Sequence, residues 1–163
     1  MDWSDEPTRG NLYVVWMDRR LNDPDHNDIL LARSEDGGLT WSAPVVVDHT
    51  PIGVDAFTPM VEVDASGRVA VTYYDFREDR PIEPEVLTDF YVAHSHNGGQ
   101  TFPDETRITA ASFDMASAPN AGGYFVGDYT GLHHVGGRFH VGWVEANDHD
   151  AGNPTDAFHR TAD

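Results

Sequence analysis

Three stretches of this chain are dense in β-branched and aromatic residues and close on an aromatic residue, one intervening residue and an acid. They read Tyr13-Val14-Val15-Trp16-Met17-Asp18, Val69-Ala70-Val71-Thr72-Tyr73-Tyr74-Asp75 and Phe139-His140-Val141-Gly142-Trp143-Val144-Glu145. Residues of these types, bounded by glycine-rich turns, predict strands. No segment of useful length carries a helical period, so the expected fold class is all-β.

A second element repeats between them. Ser34-Glu35-Asp36-Gly37-Gly38-Leu39-Thr40-Trp41 and Ser95-His96-Asn97-Gly98-Gly99-Gln100-Thr101-Phe102 both read Ser-x-Asp/Asn-Gly-Gly-x-Thr-aromatic. The residues before each copy match as well: Asp28-Ile29-Leu30-Leu31-Ala32-Arg33 against Asp89-Phe90-Tyr91-Val92-Ala93-His94. A hairpin turn accounts for the pattern. Asp36 or Asn97 accepts bonds from nearby backbone N–H groups, the glycines permit positive φ, and Thr with the aromatic is expected to start the next strand. Trp41 and Phe102 are expected to be buried. A strand-and-turn unit that recurs predicts a repeat architecture.

The octapeptides resemble the Asp-box, or BNR repeat, of sialidases and related β-propellers. The resemblance implies a β-propeller of four-stranded antiparallel blades, with about three blades present of an expected six. The approximate blades are 1–50, 51–110 and 124–163, with an insertion at 110–123. Each blade is expected to run from a first strand, such as 60–64, through the aromatic-x-acid strand to an outer strand, such as 44–48. Ser34, Asp36, Gly38, Thr40, Trp41, Ser95, Asn97, Gly99, Thr101 and Phe102 are then structural pins.

The opposite face would gather the ends of the aromatic-x-acid strands. Asp18, Arg19, Arg20 and Arg77 are the expected substrate-binding residues, because arginine forks hold carboxylates. Asp75, Asp128, Tyr129 and Glu145 are the expected catalytic set, by resemblance to sialidases, in which a tyrosine nucleophile replaces the usual two carboxylates. The Arg-Ile-Pro motif expected of true sialidases is absent; Arg80-Pro81-Ile82 has those letters in another order. Arg19 and Arg77 fit equally well as local ion pairs that tie a strand end to its loop. The implied function is an exo-α-sialidase or related glycoside hydrolase; the alternative is a non-catalytic carbohydrate- or protein-binding propeller fragment. The expected partner is a glycan, with a homodimer that completes the ring, and the family resemblance suggests a secreted or extracellular protein.

Composition narrows the partners further. The chain has 163 residues, a formal net charge of −18 and ten basic residues, all arginine. That charge repels nucleic acid and anionic membranes and also suits a high-salt environment. With no cysteine, disulfides are excluded. The spacing Asp23-x-Asp25-x-Asn27 offers calcium-type oxygens, but Asp28 stands where an EF-hand needs glycine and Ser34 where it needs glutamate, so a solvated acidic loop is the expected reading. Asp148-His149-Asp150 is ambiguous in the same way. His133 and His134 adjoin on one strand and so face opposite ways, and no zinc spacing is visible.

Overall fold

The computed structural model describes every residue except Pro81, Asp148, His149, Ala151 and Asp163. The chain is an all-β domain of three antiparallel sheets. The first sheet holds β1 (Leu12–Asp18), β2 (Asp28–Ser34) and β3 (Val45–Val46), in that order. The middle sheet runs β4 (Ala56–Val63), β5 (Val69–Asp75), β6 (Leu87–Ser95) and β7 (Asp104–Arg107), and β8 (Phe113–Asp114) pairs with β6 as a fifth strand. The third sheet holds β9 (Gly131–Val135), β10 (Arg138–Ala146) and β11 (Thr155–Ala162), with β10 central. The only helical turn among the described residues is a 3₁₀ segment, Met115–Ser117.

This architecture corrects the propeller expectation. The sheets have three, five and three strands, and none curls into a barrel or closes into a ring. Two local causes are visible. Residues 2–11 fold back as a turn instead of an inner strand: Asp2 Oδ1 accepts the Ser4 N–H at 2.8 Å, and the Asp2 N–H bonds the Asn11 carbonyl at 2.8 Å. The stretch 110–123, expected as an insertion between blades, instead supplies β8 to the middle sheet and places Phe113 and Met115 in the core.

The middle sheet is covered on both faces. Every residue of β5 is buried, and β6 is buried from Thr88 to Ser95. Successive strand residues point to opposite faces, so each strand serves two cores. Val69, Val71, Tyr73, Tyr91 and Ala93 pack against Ile29 and Leu31 of the first sheet and against Val47, which follows β3. Ala70, Tyr74, Phe90 and Val92 pack against Leu132, Phe139, Val141 and Trp143 of the third. Tyr74 also fastens the two sheets through polar atoms: its hydroxyl donates to the Val144 carbonyl at 2.9 Å and accepts the Val144 N–H at 3.0 Å. Those backbone groups lie beyond the reach of β9, whose pairing with β10 stops at Gly142.

The octapeptides form the same turn twice. Ser34 Oγ accepts the Gly38 N–H at 2.8 Å, as Ser95 Oγ accepts that of Gly99 at 2.9 Å. Asp36 Oδ1 accepts the Thr40 N–H at 2.8 Å, as Asn97 Oδ1 accepts that of Thr101 at 3.0 Å. Gly37, Gly38, Gly98 and Gly99 all have φ between 69° and 94°, a region that side chains with a Cβ rarely adopt. Two expectations need correction here. The following strands begin at Val45 and Asp104, not at the threonine and aromatic. Trp41 is 44% exposed, whereas Phe102 is 5% exposed, because the first sheet packs over the second turn and no sheet packs over the first.

Candidate functional site

The aromatic-x-acid pattern has a simple physical content. Residues i and i+2 of a strand share a face, so the indole N–H can reach the acid. Trp16 Nε1 donates to Asp18 Oδ2 at 2.8 Å, and Trp143 Nε1 donates to Glu145 Oε1 at 2.7 Å. In the middle sheet the aromatic is Tyr73, and its hydroxyl turns to Glu105 instead.

The three strand ends then differ. Asp18 also accepts the Arg20 N–H at 2.9 Å and pairs with its guanidinium at 2.6 Å. The bond to Arg20, with help from Trp16, holds Asp18 down at about 2. Arg19 makes no ion pair among the described residues; its guanidinium donates to the Pro24 carbonyl at 3.0 Å. These residues sit on the surface of the first sheet.

Asp75 and Arg77 belong to a closed knot between the first and middle sheets. Arg77 Nε meets Asp75 Oδ2 at 2.6 Å, while Nη1 and Nη2 grip the two oxygens of Glu105 at 2.6 and 3.0 Å. The guanidinium lies 3.9 Å from the centre of the Tyr91 ring. Thr50 Oγ1 donates to Asp75 at 2.8 Å, and the His49 N–H donates to Glu105 at 3.2 Å. Burial pushes both carboxyls up, and for Asp75 the Arg77 charge opposes that rise. Both carboxylates and the guanidinium already have partners from the chain, so the knot is a structural tie. Glu105, His49 and Tyr91 carry no motif that sequence reading could isolate; cross-strand register alone brings them to Arg77.

Glu145 lies elsewhere, in the wall of an open cleft of about 330 Å³ between β10, β11 and the segment 110–113. Ser112, Asn147, Asp156 and Phe158 line it with Glu145. Register fixes the wall: Glu145 pairs with Asp156 and Trp143 with Phe158, and the Trp143 and Phe158 rings stack with centroids 5.7 Å apart. Phe158 remains 41% exposed. Burial raises the Glu145 carboxyl above its ordinary range, against the indole bond that lowers it. The nearby cations are committed to the protein. Arg107 pairs with the buried Asp89 at 2.7 Å and bonds Ser112 at 3.2 Å. Arg160 Nη1 donates to the Ile108 carbonyl at 3.0 Å. Asp156 takes the amides of Asn147 and Asn153 at 3.1 and 2.8 Å. Sequence reading missed Asp89 and Arg107, which meet only across β6 and β7.

The expected catalytic set is not assembled. Tyr129 is 88% exposed. It and Asp128 precede β9 in an irregular segment. No hydrogen bond or ion pair among the described residues joins Asp75, Asp128, Tyr129 and Glu145 to one another. In the acidic loop, Asp23 Oδ1 accepts the Asp25 N–H at 2.9 Å and contacts the His26 ring at 2.7 Å, while Asn27 donates to Asp55 at 2.9 Å. No group of three or more metal-ligating His, Cys, Asp or Glu side chains is found among the described residues. Asp148 and His149 lie outside the described residues. A roomier cleft, about 430 Å³, borders Glu85, Asp114 and Asp150, but Asp114 there is occupied in capping: it accepts the Val86 and Ala116 N–H groups at 2.8 and 2.9 Å. No helix among the described residues is long and apolar enough to cross a membrane.

No family model matches the chain. No curated protein matches it. Among solved structures, it is similar to a protein of unknown function from Dyadobacter fermentans, at 22% identity and a TM-score of 0.48. The similarity covers 93% of this chain and 34% of that one, so the chain spans about a third of the length of that protein. The sialidase and glycoside hydrolase assignment therefore fails on two counts. No BNR, sialidase or glycosidase model matches, and the sheets form no ring in which the expected site could assemble.

Proposed function

We propose that the chain is a binding module whose cleft beside Glu145 takes a small organic cation. The observation that carries this reading is the lining of that cleft. Its charged groups are the carboxylates Glu145 and Asp156. The adjoining arginines are tied to Asp89 and to the Ile108 carbonyl. An exposed aromatic face, Phe158, completes the wall. Cations are held by aromatic faces with about 0.5–2 kcal/mol of attraction, and a chain of net charge −18 draws them in from solution.

Choline and its neutral carbon isostere, 3,3-dimethylbutan-1-ol, separate charge from shape in a calorimetric titration. Choline is expected to bind and the neutral isostere is not. Glu145→Gln should weaken choline binding about tenfold or more, in keeping with loss of a paired charge. Choline does not titrate, so any pH dependence belongs to the protein. Affinity should rise as pH rises through the elevated Glu145 titration, and the Gln variant should flatten that rise. Equal binding of the neutral isostere, or indifference to Glu145→Gln, would sink the proposal.

A further inference from the structure

We infer that Asp28 and Asp48 share a single proton in the folded chain, and that this proton fastens the crossover from the first sheet to the middle one. The two sheets correspond bond for bond around these residues. Leu30 pairs with Val46 as Tyr91 pairs with Arg107. The Val47 N–H donates to the Ile29 carbonyl at 2.9 Å, as the Ile108 N–H donates to that of Phe90 at 2.7 Å. The Ile29 N–H donates to Asp48 Oδ1 at 2.7 Å, as the Phe90 N–H donates to Thr109 Oγ1 at 3.4 Å. Asp28 therefore corresponds to Asp89, Val46 to Arg107 and Asp48 to Thr109.

The middle sheet satisfies its buried acid. Thr109 Oγ1 donates to Asp89 Oδ1, Ser112 Oγ donates to Oδ2 at 2.8 Å, and Arg107 supplies the counter-charge at 2.7 Å. In the first sheet a valine stands in place of the arginine, and a second carboxyl in place of the hydroxyl. Asp28 and Asp48 are both buried. The bonds they receive among the described residues come from the Asn22 amide at 2.7 Å and the Ile29 N–H, both uncharged. Asp48 Oδ2 is buried with no donor to it. The correspondence with Thr109 sets Asp48 against Asp28, and two like charges so placed do not both ionise. A carboxyl that keeps its proton is a donor, and here it does for Asp28 what the Thr109 hydroxyl does for Asp89. Burial, and then the charge of Asp48, push the Asp28 carboxyl up. The charged groups beside the pair bring no cation to it. Glu105 of the middle sheet is a further acid, already held by Arg77, and His49 turns Nε2 to the Phe102 carbonyl at 2.7 Å. Asp48 opens the crossover segment, and His49 and Thr50 tie that segment to Glu105 and Asp75. The shared proton holds its first-sheet end; loss of the proton sets two buried charges against each other there.

A pair that holds a proton only when folded adds stability in acid and loses it as pH rises through the folded titration. Asp48→Asn keeps the side-chain shape and puts an amide in place of the shared proton. Asp48→Thr installs the residue type that stands at this place in the middle sheet. Relative to wild type, each variant of the full chain should gain about 2–4 °C in melting temperature between about pH 4 and pH 8, the equivalent of roughly one pH unit in one titration. Glu83→Gln removes a charge from an exposed position and should show no such gain. Carbon-13 spectra of labelled aspartate carboxyls should show a titration above the ordinary carboxylate range that both Asp48 variants lose. Absence of that titration, variants that track wild type across the pH range, or an equal gain in Glu83→Gln would each overturn the assignment. So would calcium that stabilises wild type but not Asp48→Asn, because a metal would then hold the pair in the proton's place.

Discussion

The turn at residues 34–41 and the turn at 95–102 make nearly the same hydrogen bonds, yet they sit in different surroundings. In the second, the glycines are buried. A Cβ on Gly98 would come within 2.9 Å of Thr8 Cγ2, and one on Gly99 within 3.1 Å of both Leu31 and Tyr13. In the first, Gly37 faces open space, and a Cβ on Gly38 would meet only Leu12, at 3.5 Å. The aromatic that ends each turn follows suit: Phe102 enters the core between two sheets, and Trp41 lies half in water. Local bonding thus sets the shape of the turn, while the neighbouring sheet decides how much stability it contributes.

The largest separation is expected at the aromatics. Phe102→Ala should cost about 3–5 kcal/mol, as for a large core side chain, and Trp41→Ala under about 1.5 kcal/mol, because much of its area is already hydrated. Urea unfolding of the two variants measures the gap; equal losses would mean that the first turn is also packed in solution. A smaller gap is expected at the serines. Ser95→Ala strands the buried Gly99 N–H and should cost about 1–3 kcal/mol. Gly38 is part-exposed, so water can replace Ser34, and Ser34→Ala should cost about 1 kcal/mol or less.

The smallest effect is in acid. Bonds from Thr40 hold Asp36 down at about 2, below the ordinary carboxylate range. A depressed carboxyl adds stability above its unfolded pKa and loses it as pH falls through the folded one. Turn one should therefore weaken between about pH 4 and pH 2, and turn two, with Asn97, should not through this residue. Asp36→Asn should remove that part of the acid dependence of melting, read as a difference between variant and wild type across this range. Identical slopes would show that Asp36 is not held ionised by its turn.

The local grammar of this chain was legible. The strand over Val69–Asp75, the two glycine turns and the aromatic-x-acid strand ends follow from nearest neighbours along the sequence, whereas the indole-to-acid bonds at two of those ends emerge only in the structure. The arrangement of sheets was not. Ala110 to Gly123 reads as a small-residue connection, but Phe113 and Met115 carry it into the core and Asp114 anchors it to Val86. The outer strand expected at 44–48 shortens to Val45–Val46. A repeat in sequence reports a repeated turn; how many strands join each sheet depends on contacts between distant segments. The same limit applies to the sites. Glu145 stands out because of Trp143, and Asp75 because of its place after an aromatic. Glu105 lies in the polar stretch Asp104–Arg107, where nothing local announces that it will meet Arg77.

The middle sheet couples the fate of its two neighbours. Each alternate residue of β5 belongs to a different core, so loosening either outer sheet strips water protection from a strand that the other still needs. Partial detachment then leaves β5 half-solvated, with its apolar side chains exposed on one face. Such a chain lacks a stable halfway form on this axis: the cores are expected to melt as one cooperative unit, and fraying is confined to segments outside the two cores.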